Sequence, residues 1–304
     1  MKILVAGSHG LIGTALVARL RHDGHTVHRL VRGPTAGPGE ISWDPAAGRL
    51  DPRAVEDADA VVNLAGAGVG DRRLTPEYQD VVRSSRTSTT GLLARTIAGL
   101  GGRPPVLLNA SGIGAYGERG DDVLDETSPL GDTFFAGVVR DWEGATAPAA
   151  QAGARVVLLR TGIVLTPRGG ALERLLPIVR AGVGGRLGSG DQFWSWITLP
   201  DEIGAIVHLL RAHDVQGPVN LTAPHPATNA EVTREIARAL HRPARLPVPA
   251  AALKLVLGAF SSEILGSIRA LPAVLSASGF TWQHRSIGDA AEWVAREVHA
   301  GRPR

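Results

Sequence analysis

Apolar runs of strand length alternate with helical-period segments through the first half of the chain. "KILVAG" (residues 2–7) is near-continuously apolar, and "LIGTALVARLRHDG" after it spaces its apolar residues three and four apart. "HTVHRLVRG", "ADAVVNLAG" (58–66), "PPVLLNASG" (104–112) and "GARVVLLRTGIVL" (153–165) repeat the strand pattern, with helices predicted at about 75–100 and 132–152. Strands apolar at consecutive positions are buried on both faces, the property of a parallel sheet covered by helices on each side. "GPVNLTA" (217–223) predicts a late strand returning to that sheet.

From Pro224 the texture changes. "PATNAEVTREIARALHR" sets Thr228 three residues ahead of Glu231, the reciprocal cap that opens a helix, and the remainder to Arg304 is helical and punctuated by proline. The expected architecture is α/β: a doubly wound parallel sheet with a smaller, mainly helical C-terminal lobe. Residues 1–165 would form a dinucleotide-binding domain whose sheet is rejoined near 217–222. Residues 166–304 would form a substrate lobe and C-terminal helical extension.

Charge and composition narrow the function classes. The 32 basic and 29 acidic residues are dispersed and leave a net charge of +3, so no nucleic-acid partner is expected. With no cysteine there is no disulfide, thiolate nucleophile or Cys-ligated metal, which fits a cytoplasmic protein. No apolar stretch approaches membrane-spanning length, and the run before the first glycines is too short for a secretory signal. The ten histidines lack the spacing of a zinc motif, so no metal is expected. "NASGIG" lacks the first glycine of a G-x-S-x-G elbow, which argues against a serine hydrolase.

The strongest chemical signal is "AGSHGLIG". Gly7, Gly10 and Gly13 follow the first strand and open the first helix. Glycines there permit a tight turn and let a pyrophosphate approach the backbone, while unpaired N–H groups at the helix N-terminus supply positive potential. Ser8, His9, Leu11 and Ile12 complete the turn. NAD sites of this Rossmann type place an acid at the end of the second strand to hold the ribose 2′-hydroxyl. Residues 24–39 contain no acid, and Arg32 stands where a 2′-phosphate would sit; a guanidinium matches phosphate in charge and geometry. The expected cofactor is NADP(H), although Arg29 and Arg32 could also be solvated strand-end charges.

These motifs resemble the extended, sugar-nucleotide-epimerase-like form of the short-chain dehydrogenase/reductase superfamily. More narrowly, they are similar to an atypical "epimerase family protein" subgroup with its own C-terminal extension, and the resemblance covers nearly the whole chain. It implies that Leu64, Ala65 and Gly66 of "VVNLAG" pass beside the adenosine. It also implies that Arg86 of "SSRTSTTGLL" lies near the cofactor and that Val164 of "LRTGIVL" touches the nicotinamide. Reductases of this superfamily carry a Ser and a Tyr-x-x-x-Lys pair that moves the substrate proton. Here "FAGVVRDWE" has that helix's register, yet Phe135 and Val139 stand in place of the phenol and the ammonium. General acid–base catalysis supplies roughly 10²–10⁴ in rate, so the ordinary mechanism cannot run at ordinary efficiency.

Two hydroxyls remain as candidates at strand ends. Ser111 would take the family's Ser position or bond its own backbone; Tyr116 would be a replacement donor or a packing ring. "GDQFWSWIT" gathers Asp191, Gln192, Trp194 and Trp196, which would floor a substrate pocket or fasten the small lobe to the sheet. Glu118, Arg119, Asp121 and Asp122 read as a solvated loop, and Asp201 as a structural anchor. The function expected is an NADP(H)-binding oxidoreductase or epimerase-like enzyme for a small carbonyl or sugar-like molecule. The alternative is an NADPH-binding regulatory or scaffold protein. A homodimer through paired helices is a fold-level analogy.

Overall fold

Seven parallel strands form one sheet in the computed structural model, which describes residues 1–182, 184–244, 246–258 and 261–300. In chain order they are β1 (Lys2–Ala6), β2 (Thr26–Arg32), β3 (Glu40–Trp43), β4 (Ala60–Asn63), β5 (Val106–Gly112), β6 (Val156–Thr161) and β7 (Gly217–Leu221). Their spatial order is β3-β2-β1-β4-β5-β6-β7, which reverses direction between β1 and β4. Ligands of such sheets bind beyond the strand C-termini at that switch point.

The sheet is buried because its strands are apolar on both faces. Ile3, Val5, Val62, Leu108 and Leu159 join one core with α1 (Leu11–His22), while Leu4, Val61 and Leu107 join another with α2 (Pro76–Ala98) on the opposite face. The first core also takes in α5 (Leu199–Arg211) and, from near the C-terminus, Leu275 and Trp282. Much of residues 197–221 therefore belongs to the sheet-bearing unit. A second centre lies in the small lobe, where α4 (Gly170–Arg180), α6 (Asn229–Ala239) and α7 (Ile287–Ala300) close over Trp194 and Trp196. Thr228 and Glu231 form the expected capping box at the start of α6. Asp201 anchors the segment before α7 by accepting from the backbone N–H groups of Gln283 and His284. The final residues of the expected lobe, 301–304, lie outside the described residues.

Three expectations change. The helix expected over 132–152 breaks into α3 (Phe134–Gly144) and a short helix Ala147–Gln151. Pro148 supplies no N–H to continue the first helix, and the Thr146 hydroxyl donates to the Glu143 carbonyl at 2.7 Å. The run 153–165 is two strands: the Gly162 N–H still bonds the Leu221 carbonyl of the sheet, the Ile163 N–H bonds the Ser195 carbonyl, and only a residue without Cβ fits against that carbonyl. Ile163–Leu165 leaves the sheet to pair with Trp196–Thr198. β3, a four-residue edge strand, has no periodic run to announce it.

Candidate functional site

The glycine turn has the form of a phosphate cradle. Gly7 adopts φ +75°, and a Cβ there would lie 2.5 Å from the Leu64 carbonyl oxygen and 2.8 Å from the Ala65 nitrogen. A Cβ on Gly13 would strike the Gly7 carbonyl. Side-chain-free positions thus let the turn, the mouth of α1 and the Leu64–Ala65 loop meet. Ser8 is 4% exposed, and its Oγ has no hydrogen-bond partner. An orphaned buried hydroxyl is costly unless a ligand satisfies it. Together with the unpaired N–H groups of α1, it fits a dinucleotide diphosphate.

The loop after β4 is held from beneath. The Asn63 amide donates to Asn109 Oδ1 at 2.7 Å and to Thr90 Oγ1 at 3.0 Å, and its own Oδ1 accepts from the Ala65 N–H. Trp142 Nε1 donates to the same threonine. Arg86 donates to the carbonyls of Ala67 and Val82, lies 4.9 Å from the Trp142 ring centre and runs along Gly66. Burial pushes its guanidinium below the usual arginine range. Asn63, Thr90, Asn109 and Trp142 were not singled out from the sequence. The readable signal was polar Asn within otherwise apolar strands, "VVNL" and "LLNA".

Arg32 lies at the end of β2 and has no acid partner among the described residues. Arg29 is instead paired with Glu40 at 2.7 Å. Arg32 lines a depression of about 800 Å³ with Ser42, Trp43 and Arg49, beyond the ends of β2 and β3. Val164 lies on the short strand Ile163–Leu165, with its carbonyl near Gly170 and the Leu11 side chain near Gly169. Gly7, Leu64 and Arg32 follow or end β1, β4 and β2, whereas Arg86 lies on α2 and Val164 on the strand Ile163–Leu165 outside the sheet.

The two candidate hydroxyls are committed elsewhere. Tyr116 has no exposed surface; its OH donates to Asn220 Oδ1 at 2.7 Å and accepts from Arg160 at 3.1 Å. Burial raises the phenol above its ordinary value, so it holds its proton. Ser111 is 6% exposed and donates to Glu143 Oε1 at 2.6 Å. Arg160 grips that carboxylate through Nε and Nη2. Burial draws the guanidinium toward neutrality, and Glu143 more than reverses this. Ser111, Glu143, Arg160, Tyr116 and Asn220 form one chain joining β5, α3, β6 and β7. The hydroxyls expected to support a substrate oxygen are spent on that internal chain.

The aromatic motif is likewise a fastening. Trp196 is fully buried and Trp194 nearly so, with Trp194 Nε1 and the Gln192 amide both donating to the Ile264 carbonyl. Only Asp191 of the four expected pocket residues is exposed. A cavity of about 140 Å³ lies beside Phe135, and its wall includes Leu74, Gln79, Thr133, Ser262 and Ile268. The C-terminal contribution was not found from sequence, because no local pattern says which surface a late helical segment covers.

Comparisons with known proteins give the family. The signature of the NAD dependent epimerase/dehydratase family matches residues 3–222, and a domain of unknown function, DUF1731, matches 248–294. The chain belongs to that epimerase/dehydratase family. It is 45% identical over 289 residues to an epimerase family protein of Mycobacterium tuberculosis, covering 95% of each. The human epimerase family protein SDR39U1 is 37% identical over 298 residues, covering 97% of this chain and 99% of that one. The crystal structure of human SDR39U1 (isoform 2) with NADPH matches with a TM-score of 0.89 at 36% identity, covering 97% and 99%. A nucleoside-diphosphate sugar epimerase from Corynebacterium glutamicum matches at 34% identity and a TM-score of 0.80, covering 98% of this chain and 59% of that one. The chain is an SDR39U1-like member of an atypical short-chain dehydrogenase/reductase subgroup with a Rossmann-like fold. Among the described residues no helix is long and apolar enough to cross a membrane.

Proposed function

We propose that the protein is an NADP(H)-dependent oxidoreductase or epimerase-like enzyme that works on a small carbonyl compound in the cleft beside Phe135. The observation carrying this reading is the orphaned Ser8 hydroxyl in a turn whose Gly7 and Gly13 admit no Cβ. Similarity to a relative crystallised with NADPH supports the cofactor. Gly7, Gly10 and Gly13 admit the diphosphate, Leu64 and Ala65 flank the adenosine, Arg32 meets the 2′-phosphate, and Val164 borders the nicotinamide. When bound, the reduced dinucleotide supplies a hydride. Phe135 and Val139 supply no proton to accompany it, and Tyr116 and Ser111 are internally bonded. The protein's part is to bind and orient the substrate, and the proton for a reduced oxygen comes from water that reaches the cleft. The chain through Arg160 positions the strand ends on which the cleft is built.

A second reading, in which the dinucleotide controls a partner surface without chemistry, is favoured by Val139, which is 5% exposed in place of a ribose-binding cation. Calorimetry with NADPH and NADH, followed by absorbance of NADPH against a carbonyl panel, separates the two. Tight NADPH binding with turnover supports the enzyme; tight binding without any turnover supports the regulatory protein. A clear preference for NADH overturns both.

A further inference from the structure

The cavity beside Phe135 has an unusual balance of groups. Leu74, Phe134, Phe135 and Ile268 make apolar walls, and no Lys or Arg stands among its described lining residues. Its polar side chains differ in availability. Thr133 Oγ accepts the Ala136 N–H that caps α3, and Ser262 has a partner of its own. Glu118 is exposed to water. Gln79, half-buried in the first turns of α2, has no hydrogen-bond partner for its amide among the described residues. Thr75 caps that helix through its hydroxyl, and the backbone N–H of Gln79 bonds the Thr75 carbonyl, so the Gln79 Cα is fixed while its amide is left uncommitted.

We infer that this cavity binds a small, uncharged, mainly apolar carbonyl compound, that Gln79 donates its amide N–H to the carbonyl oxygen, and that Ser262, Gly266 and Ile268 of the C-terminal segment form part of its wall. The inference rests on the proposed function for the nature of the reaction, and it adds the substrate class. Three physical arguments carry it. About 140 Å³ is below the usual range of about 300–1,000 Å³ for pockets of drug-sized ligands, so the occupant is small. A nucleoside diphosphate would bring two phosphates, which are normally met by guanidinium or ammonium groups; the described lining offers none. A neutral amide in a mostly apolar cleft is a stronger donor than the same amide in water, and it polarises a carbonyl without giving up a proton. That role suits a helix whose phenol position is Phe135. It also gives the segment matched as a domain of unknown function a task, because Ser262 and Ile268 close the cleft that α2 and α3 leave open.

The test compares acetophenone with ethylbenzene, which has nearly the same shape and no carbonyl oxygen. Binding is measured by calorimetry and saturation-transfer NMR on the full chain, with and without NADPH, for wild type, Gln79→Leu and Gln79→Glu. The expected result is tighter binding of acetophenone by about tenfold, the effect of one hydrogen bond. Both variants should erase that difference while leaving NADPH affinity unchanged. UDP-glucose should not bind at the cleft. Equal binding of the two aromatics, an unchanged preference in the variants, or UDP-glucose displacing acetophenone would overturn the inference. Absence of NADPH binding would sink the cofactor reading alone, since the matched pair still reports on Gln79 in the nucleotide-free protein.

Discussion

Arg160 Nε lies 2.8 Å from Glu143 Oε1 and Nη2 lies 2.9 Å from Oε2, a two-pronged pairing of a strand end with the helix that carries Phe135. Both side chains are largely out of water, with exposures of 5% and 11%. Breaking one partner of such a pair leaves an uncompensated charge. Arg160→Leu should therefore lose roughly 3–5 kcal/mol of unfolding free energy in urea. An unchanged midpoint would remove the pair from the account of how the cleft is held.

Tyr116→Phe separates a positioning role from a direct one. Deleting the hydroxyl strands Asn220 Oδ1 and one Arg160 donor, which should cost about 1–3 kcal/mol of stability. NADPH affinity should stay within about twofold, because the ring has no exposed surface with which to touch a ligand. A variant as stable as wild type that fails to turn over substrate would return the phenol to the reaction.

Glu202 carries a pH dependence of predictable sign. It is fully buried on α5, accepts only the Thr161 hydroxyl, and burial pushes its carboxyl up to about 8 from 4.5. Below pH 4.5 both folded and unfolded states hold the proton and there is no penalty. Between pH 4.5 and about 8 the unfolded chain releases it and the folded chain does not, so stability falls as pH rises. Glu202→Gln mimics the protonated acid. It should match wild type at pH 4 and exceed it increasingly toward pH 8, read by urea titrations across that window. A constant difference at all pH values would contradict the assignment.

Arg32 should decide between the two dinucleotides. If its guanidinium meets a 2′-phosphate, Arg32→Gln loses about 1.5–3 kcal/mol for NADPH, roughly tenfold or more in Kd, and little for NADH. Calorimetry of the four combinations checks this. Equal losses for both nucleotides would mean that Arg32 does not read the phosphate.

Local patterns were sufficient for much of the fold. Consecutive apolar residues in "KILVA" and "AVVN" can be satisfied only between two helical layers, and they stand at the centre of the sheet. Gly7 and Gly13 were legible because their requirement is steric and lies within seven residues of chain. Where a second segment took part, local reading fell short. The break at Gly162 depends on the Ser195 carbonyl, and Tyr116 is withheld from the cleft by Asn220, 104 residues away.

The aromatic motif shows the same division. "FWSW" announces burial by its size and apolarity, but the pattern is identical for a ring that floors a pocket and one that pins a lobe. The choice was made by the Ile264 carbonyl, which takes the donors of Gln192 and Trp194.

By itself the sequence determined the layered sheet, the side-chain-free turn after β1 and the loss of the phenol and ammonium, since each follows from residue type at short spacing. Only the tertiary structure decided which polar groups are spent internally and which remain open. A hydroxyl or amide is available to a ligand only when no distant part of the chain has already satisfied it. Ser111 stood out in the sequence and Gln79 did not, yet Glu143 has claimed the serine, and among the described residues no group has claimed the amide.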